Sequence, residues 1–495
     1  MAFDHPSPPM EPQIVHQAVH SIKWAALAQL LPRLVTPITT MLLALLLVPD
    51  DFGVVAIATL VISLANIVTG MGFGATVVQR RTMVDETANM AFWMSLGLAI
   101  LMYGVLWLLS PAIALFYRIA PLTNVLRIVG VSLIISVFST IPTALLQKEL
   151  KFRKIFLIGA GPQIINGVVS LVFAYLKYGY WSLVIGNLTG ILCGSILAWV
   201  LCRWKPKLIW RTEIAKSILK FSFWILLSNF SSWFFLYADN ALAGYYFGSR
   251  GLGQYSLGFN ISVLLPGMIV SSIALIAYPI FCKFSDHLEV GKELLRFQSL
   301  AAALVFPACL GLSAIIVPVV SIIYGIKWPE LGMIIQVLSL LPGAVNIWSL
   351  NADAFRAIGH PEVWTQVSMA GLVILLPVLF LAGKFGLGEF VLARFLGSLA
   401  IPVLCVLVSK KLLSLSIQDQ LRSMAAPFLS SIVLLVFVIS INHFLSPYQG
   451  SAGLVQLLIV FALGGALYLM TLRLVSRKLF DQLFRLGREA IYARG

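Results

Sequence analysis

The chain has 495 residues, of which 60% are hydrophobic and only 11% charged, with a mean hydropathy of +0.97. A soluble globular domain carries charge on about a quarter of its residues, so a water-soluble fold is excluded and the bilayer is the solvent to reason with. The net charge of +15 does not call for nucleic acid. Of the 34 Lys and Arg residues, 26 fall on loops and tails of one side, where anionic lipid accounts for them.

Residues 1–21 form a Pro-rich tail without the basic start and small-residue cleavage site of a signal peptide, so the first helix is expected to be its own insertion signal. A helix needs about 20 apolar residues to span. On that rule the sequence predicts fourteen spans, near 22–47, 53–78, 89–115, 123–146, 155–176, 181–202, 218–244, 255–281, 297–323, 331–352, 362–382, 388–409, 424–444 and 453–474. Alternate loops then differ in charge. One set, including Arg80 and Arg81, the link from Arg203 to Lys220 and the C-terminal tail, holds the 26 basic residues, whereas the other holds Arg118, Arg127, Lys177, Arg250, Lys327 and Lys384. An even number of spans with this alternation places both termini in the cytoplasm.

The hairpin of spans one and two turns at Pro49-Asp50-Asp51-Phe52-Gly53, and its descending helix carries Thr59, Ser63, Asn66 and Gly70 on one face. A weaker echo, Gly251-Leu252-Gly253-Gln254-Tyr255, follows span seven. The two corners, in order and joined to the helix count, resemble those of the polysaccharide transporter family of the multidrug/oligosaccharidyl-lipid/polysaccharide (MOP) exporter superfamily, close to its Wzx-type flippases. The resemblance covers roughly residues 20–475. It implies an all-α polytopic membrane protein whose two six-helix lobes, 22–203 and 218–409, form a V resembling the multidrug exporters of that superfamily. Because each half has an even number of spans, the halves are parallel repeats. A basic linker, 204–217, joins them, two further helices occupy 410–474, and the tail 475–495 places Leu479, Phe480, Leu483 and Leu486 on one face with basic residues around it, as an interfacial helix would.

Charge inside the membrane is the most informative signal, because Arg or Asp at a helix centre costs about 2.5–3.5 kcal/mol on insertion scales. Arg33 lies about 16 Å along span one, on a face with Gln29, Thr36 and Thr40 and flanked by Pro32 and Pro37. Asp239 in span seven and Arg394 in span twelve fall at similar depth, which leaves two readings: they pair to lock two helices, or they line a substrate path. Asp353 follows Asn346 and Ser349 in span ten, close to Arg356. The polar stripes Gln163-Asn166-Ser170 and Ser132-Ser136-Ser139 suit either interhelical bonding or cavity lining.

The candidate cavity residues are therefore Arg33, Gln29, Asn66, Asp239, Asn346 and Arg394. The resemblance implies a water-filled cleft carrying an undecaprenyl-diphosphate-linked oligosaccharide across the bacterial inner membrane by alternating access, for lipopolysaccharide, capsule or exopolysaccharide synthesis. Arg suits a diphosphate through its planar fork of donors, while Asn and Ser suit sugar hydroxyls. Membrane lipids and a polysaccharide polymerase with its chain-length machinery are the expected partners. No cofactor and no nucleic acid are expected, and H+ or Na+ is the candidate coupling ion. Cys193, Cys202, Cys282, Cys309 and Cys405 have no metal-ligand spacing, and no hydrolase or ATPase motif occurs. The alternatives are a multidrug exporter, a lipid II flippase, or, in a different class, a membrane-embedded polysaccharide polymerase or ligase. The outer loops are too short for the catalytic site the last would need.

Overall fold

The computed structural model describes residues 31, 35–80, 82–208, 211–445 and 453–492. Among these every regular element is helical. In chain order the α-helices are α1 (Val35–Leu46), α2 (Pro49–Gly70), α3 (Phe73–Gln79), α4 (Val84–Tyr117), α5 (Leu122–Lys148), α6 (Phe152–Tyr175), α7 (Tyr180–Cys202), α8 (Thr212–Phe281), α9 (His287–Tyr324), α10 (Leu331–Leu338), α11 (Leu341–Ala344), α12 (Leu350–Ala357), α13 (Pro361–Ala382), α14 (Leu387–Ser398), α15 (Ala400–Leu412), α16 (Ile417–Leu445), α17 (Gly453–Val475) and α18 (Arg477–Tyr492).

Among the described residues, eleven helical stretches are long and apolar enough to cross a membrane, and α1 and Ile459–Val475 are shorter apolar helices. Among the described residues the fourteen predicted spans fall largely within helix. The lower number arises because the seventh and eighth share α8, because only part of the first is described, and because the fourteenth is represented by the shorter Ile459–Val475. Leu108 is 78% exposed and Val373 69%. Side chains of this kind on membrane-length helices belong in hydrocarbon, since soluble surfaces rarely carry large apolar patches.

Several predicted spans differ in shape from the expectation, among them the seventh, eighth and tenth. The seventh and eighth are divided only at Gly248, whose φ of 62° and ψ of −160° break the helix in a region open essentially to glycine alone. The tenth, expected to run unbroken over 331–352, is cut into α10, α11, a 3-10 turn (Asn346–Ser349) and α12. Pro342 near the start of α11 removes a backbone donor and favours a fresh helix start at that point. Broken backbone at membrane depth is tolerated only where protein or water satisfies it.

The chain groups into two compact units. The first takes the residues up to Leu47 together with Val54–Tyr237; the second takes Val48–Gly53 and Ala238 onward. In the first unit, Phe73 and Val77 of α3, Phe92 of α4, Val137 and Ile141 of α5, and Ala215 and Ile218 of α8 form one apolar cluster. That packing keeps the first half of α8 with the unit. The basic link is tied down as well: Lys207 donates its backbone N–H to Asn89 (2.6 Å), Trp93 donates to the Lys207 carbonyl (3.1 Å), and Arg211 pairs with Glu86 at 3.0 Å. Lipid offers no hydrophobic drive between helices, so close approach must come from small residues. α6 and α7 achieve it where Gly186, Gly190 and Gly194 lie against Asn166, Ser170 and Pro162.

The second unit is centred on α9. One of its clusters joins Phe281, Leu294, Val305, Trp348, Phe355, Ile401 and Met424. Another joins Ala303 to Leu434 and Val438 of α16, Val460, Tyr468 and Leu472 of α17, and Leu479 of α18. Tyr468 closes the latter by donating to the Ala303 carbonyl at 2.7 Å. The basic tail is thus helical over Arg477–Tyr492, with Leu479 buried and Leu483 packed beside it.

Candidate functional site

Within the second unit the two corner sequences meet. Pro49 opens α2 and Asp51 accepts from the Val48 N–H at 3.2 Å, so the acidic corner is a helix start, where proline and carboxylates are favoured. Ser249 donates to Asp50 at 2.6 Å, and Phe52 packs edge-on to the buried Trp328 with centroids 5.3 Å apart. A Cβ on Gly53 would run into the Ser249 carbonyl, and one on Gly253 into the Pro49 carbonyl. The glycines of both corners are therefore fixed by backbone proximity.

The rest of the second corner anchors a buried polar network. Gln254 accepts the Glu330 N–H at 2.8 Å and donates to its carboxylate at 3.3 Å. Tyr255, fully buried, donates to Asp239 Oδ2 at 2.9 Å. The same oxygen accepts from Arg394 Nε at 2.8 Å, and Asp239 Oδ1 accepts from the backbone and side chain of Asn240. Arg394 also donates to Ser398 and lies 5.8 Å from the Phe259 ring centroid. Asp239 is 4% exposed and Arg394 9%, so the pair joins α8 to α14 inside protein. Charge, donors and acceptors are matched within the network, as a buried ion pair requires.

In the first unit, a cavity of about 580 Å³ lies between α3 and α5. It is lined by Gly74, Ala75, Val78, Gln79, Ser139, Thr140, Thr143, Ala144 and Gln147. Ser139 and Thr140 both donate to the Ser136 carbonyl, at 2.8 and 2.9 Å, leaving their oxygens able to accept. The amides of Gln79 and Gln147 are exposed and both donate and accept. No lining residue is ionisable. Lys148 stands beside the cavity, but its ammonium caps the end of α3, bonding the carbonyls of Val77 (3.3 Å), Val78 (3.2 Å) and Arg80. A cation there satisfies orphan carbonyls and the helix dipole.

Of the six residues singled out from the sequence, the structure brings Asp239 and Arg394 together. Asn66 is exposed on the polar face of α2, beside an exposed Thr59, and Ser63 on that face accepts from Trp233 at 2.8 Å. Asn346 is half-buried in the 3-10 turn of the broken span, where its carbonyl accepts from Ser349. Arg33 and Gln29 lie outside the described residues. The Gln163 stripe is engaged in part between helices, with Gln163 donating to Thr36 at 2.7 Å. The Ser132 stripe divides: Ser132 is buried and Ser139 reaches the cavity. Gln79, Thr143 and Gln147 were missed, although Ser139, Thr143 and Gln147 recur every four residues along one helix face.

The chain and its fold have counterparts among known proteins. The chain is 24% identical to the teichuronic acid biosynthesis protein TuaB of Bacillus subtilis (strain 168), over 96% of this chain and 99% of that one. It is 21% identical to the lipopolysaccharide biosynthesis protein WzxC of Escherichia coli (strain K12), over 85% and 86%. Its fold is similar to that of the lipid II flippase MurJ in an inward closed conformation, with a TM-score of 0.75 at 14% identity, covering 92% of this chain and 99% of that chain. The apolar helices and these relatives make it a multi-pass bacterial membrane protein. The family described as polysaccharide biosynthesis protein matches residues 42–333, more than half of the chain. The protein therefore belongs to that family, within the polysaccharide transporters of the MOP superfamily that its two corner sequences resemble.

Proposed function

We propose that this protein is a flippase that moves an undecaprenyl-diphosphate-linked oligosaccharide from the cytoplasmic to the outer leaflet by alternating access, for lipopolysaccharide, capsule or exopolysaccharide synthesis. The observation that carries this reading is the uncharged, hydroxyl- and amide-lined cavity of the first unit in a chain of the polysaccharide biosynthesis family. Such a lining exchanges hydrogen bonds with sugar hydroxyls without selecting for charge. The translocation breaks no covalent bond, so the protein is a carrier and not an enzyme. The names of TuaB and WzxC support a polymer-building pathway, and the fold of MurJ supports a flippase architecture.

The same proposal places both termini in the cytoplasm, on the strength of the loop charges, and keeps the division into residues 22–203 and 218–409. It assigns Arg33 to the diphosphate and Gln29, Asn66 and Asn346 to the polar path. Either H+ or Na+, as coupling ion, would have to displace the Arg394 guanidinium to reach Asp239, because the two groups are already bonded at 2.8 Å. A polymerase and its chain-length machinery would act on the product after it has crossed.

The test is the sidedness of accumulated lipid in a deletion strain lacking related exporters. An impermeant sugar-oxidising probe on inner-membrane vesicles of known orientation is expected to find completed repeat units on the cytoplasmic face. Units found mainly on the outer face would overturn the flippase reading in favour of a polymerase or ligase.

A further inference from the structure

A second cavity in the first unit is of a different kind. It has a volume of about 330 Å³ and lies between α4, α5 and α7, lined by Tyr103 and Trp107, by Arg127, Ile128, Val131 and Ile135, and by Ile185, Leu188, Thr189 and Leu192. Apart from Arg127 and one threonine the walls are apolar or aromatic. The side chains from α5 and from α7 each follow helical spacing along one face, and from Arg127 to Ile135 the floor extends on the order of 12 Å at 1.5 Å per residue. The rim is open: Trp107 is 43% exposed, Ile128 42% and Leu192 48%. These residues belong to membrane-length helices, so the opening is towards hydrocarbon.

Arg127 is held at one end of the floor. Its guanidinium carbon sits 4.7 Å from the Trp107 ring centroid, and its Nε donates to Ser110 at 3.1 Å. Those contacts engage one face and one donor of the fork, and among the described residues Arg127 has no carboxylate partner. It lies five residues into α5, near one end of the span, at the depth where lipid headgroups begin. A fixed cation above an apolar groove is complementary to an anionic headgroup above a hydrocarbon chain.

We propose that this groove binds an anionic glycerophospholipid, with its phosphate on Arg127 and one acyl chain along the floor of Val131, Ile135, Ile185 and Leu188. Charge selects the occupant. A single guanidinium matches the single negative charge of a phosphodiester, whereas a polyprenyl carrier ending in a phosphate monoester or a diphosphate brings more charge than the lining answers. A zwitterionic ethanolamine lipid adds an ammonium, for which the lining holds no carboxylate. The proposal rests on the protein spanning a membrane and is independent of what it transports.

The test is native mass spectrometry of the detergent-purified full chain, titrated with phosphatidylglycerol, phosphatidylethanolamine or undecaprenyl phosphate. Wild type is expected to bind phosphatidylglycerol most tightly of the three. Arg127→Gln is expected to weaken it about tenfold, the loss of a charge-assisted hydrogen bond, while leaving the ethanolamine lipid unchanged, and Arg127→Lys is expected to keep part of the preference. Leu192→Trp, which narrows the groove and leaves Arg127 in place, is expected to lose the same adduct and serves where Arg127→Gln fails to fold; Lys177→Gln is the control for an exposed cation elsewhere. Equal phosphatidylglycerol binding by Arg127→Gln and wild type, no preference in wild type, or displacement of phosphatidylglycerol by equimolar undecaprenyl phosphate would overturn the proposal.

Discussion

Removing Arg394 tests whether the buried pair is a structural lock. In Arg394→Met the Asp239 carboxylate would keep its bonds from Tyr255 and Asn240 but lose its counter-charge at 4% exposure. Breaking one partner of a buried pair costs about 3–5 kcal/mol. For a body of this size 1 kcal/mol shifts the midpoint by roughly 2 °C at the low end, so a fall of ~6–10 °C is expected. Asp239→Asn strands the guanidinium instead and should cost a similar amount. The double variant Asp239→Asn/Arg394→Met leaves no net charge and should recover most of the loss, since replacing a whole pair by neutral groups is often close to neutral. The assay is the thermal midpoint by fluorescence-detected size exclusion in one detergent, run alongside transport at matched membrane abundance. Single-variant losses that simply add in the double variant, to within about 0.5 kcal/mol, would refute the coupling. A double variant that is stable yet fails to transport would instead move the pair into the substrate path.

The corner contact predicts that Gly53→Ala and Gly253→Ala each lower the midpoint, by about 1–3 kcal/mol of overpacking, whereas Gly97→Ala, with open space at its Cβ, does not; three equal responses would refute the contact. For Arg33, if the residue meets the diphosphate, Arg33→Ala is expected to abolish transport and Arg33→Lys to keep part of it, because charge survives but the planar fork does not. Wild-type transport by Arg33→Ala at matched abundance would remove Arg33 from the path.

The spans were legible because hydropathy and alternating loop charge constrain each other, and a single miscount would have spoiled the alternation around Lys148, Lys177 and Arg203. The breaks were not. An apolar window registers Gly248 and Pro342 as two more non-polar positions and is blind to the backbone they redirect. For Asp239 and Arg394, depth was legible from the count along each span, but rotation about the helix axis was not, and rotation decides whether two charges meet. The cavity was half legible: Ser139 stood in a visible stripe, whereas Gln79 and Gln147 read as loop polarity at the ends of their helices. The corners were legible as echoes of each other, yet their contact depends on tertiary packing that no local pattern encodes.

That contact also sets an order of events during synthesis. Asp50 and Ser249 are 199 positions apart, which at ribosomal speeds of about 5–20 residues per second separates their emergence by roughly 10–40 s. Throughout that interval the start of α2 has no partner for Gly53 or for the Asp50 carboxylate, so the first hairpin inserts before its own corner is finished. A nascent chain arrested short of residue 249 would hold its N-terminal helices in the bilayer with this seam open, and would be the form most exposed to membrane proteases.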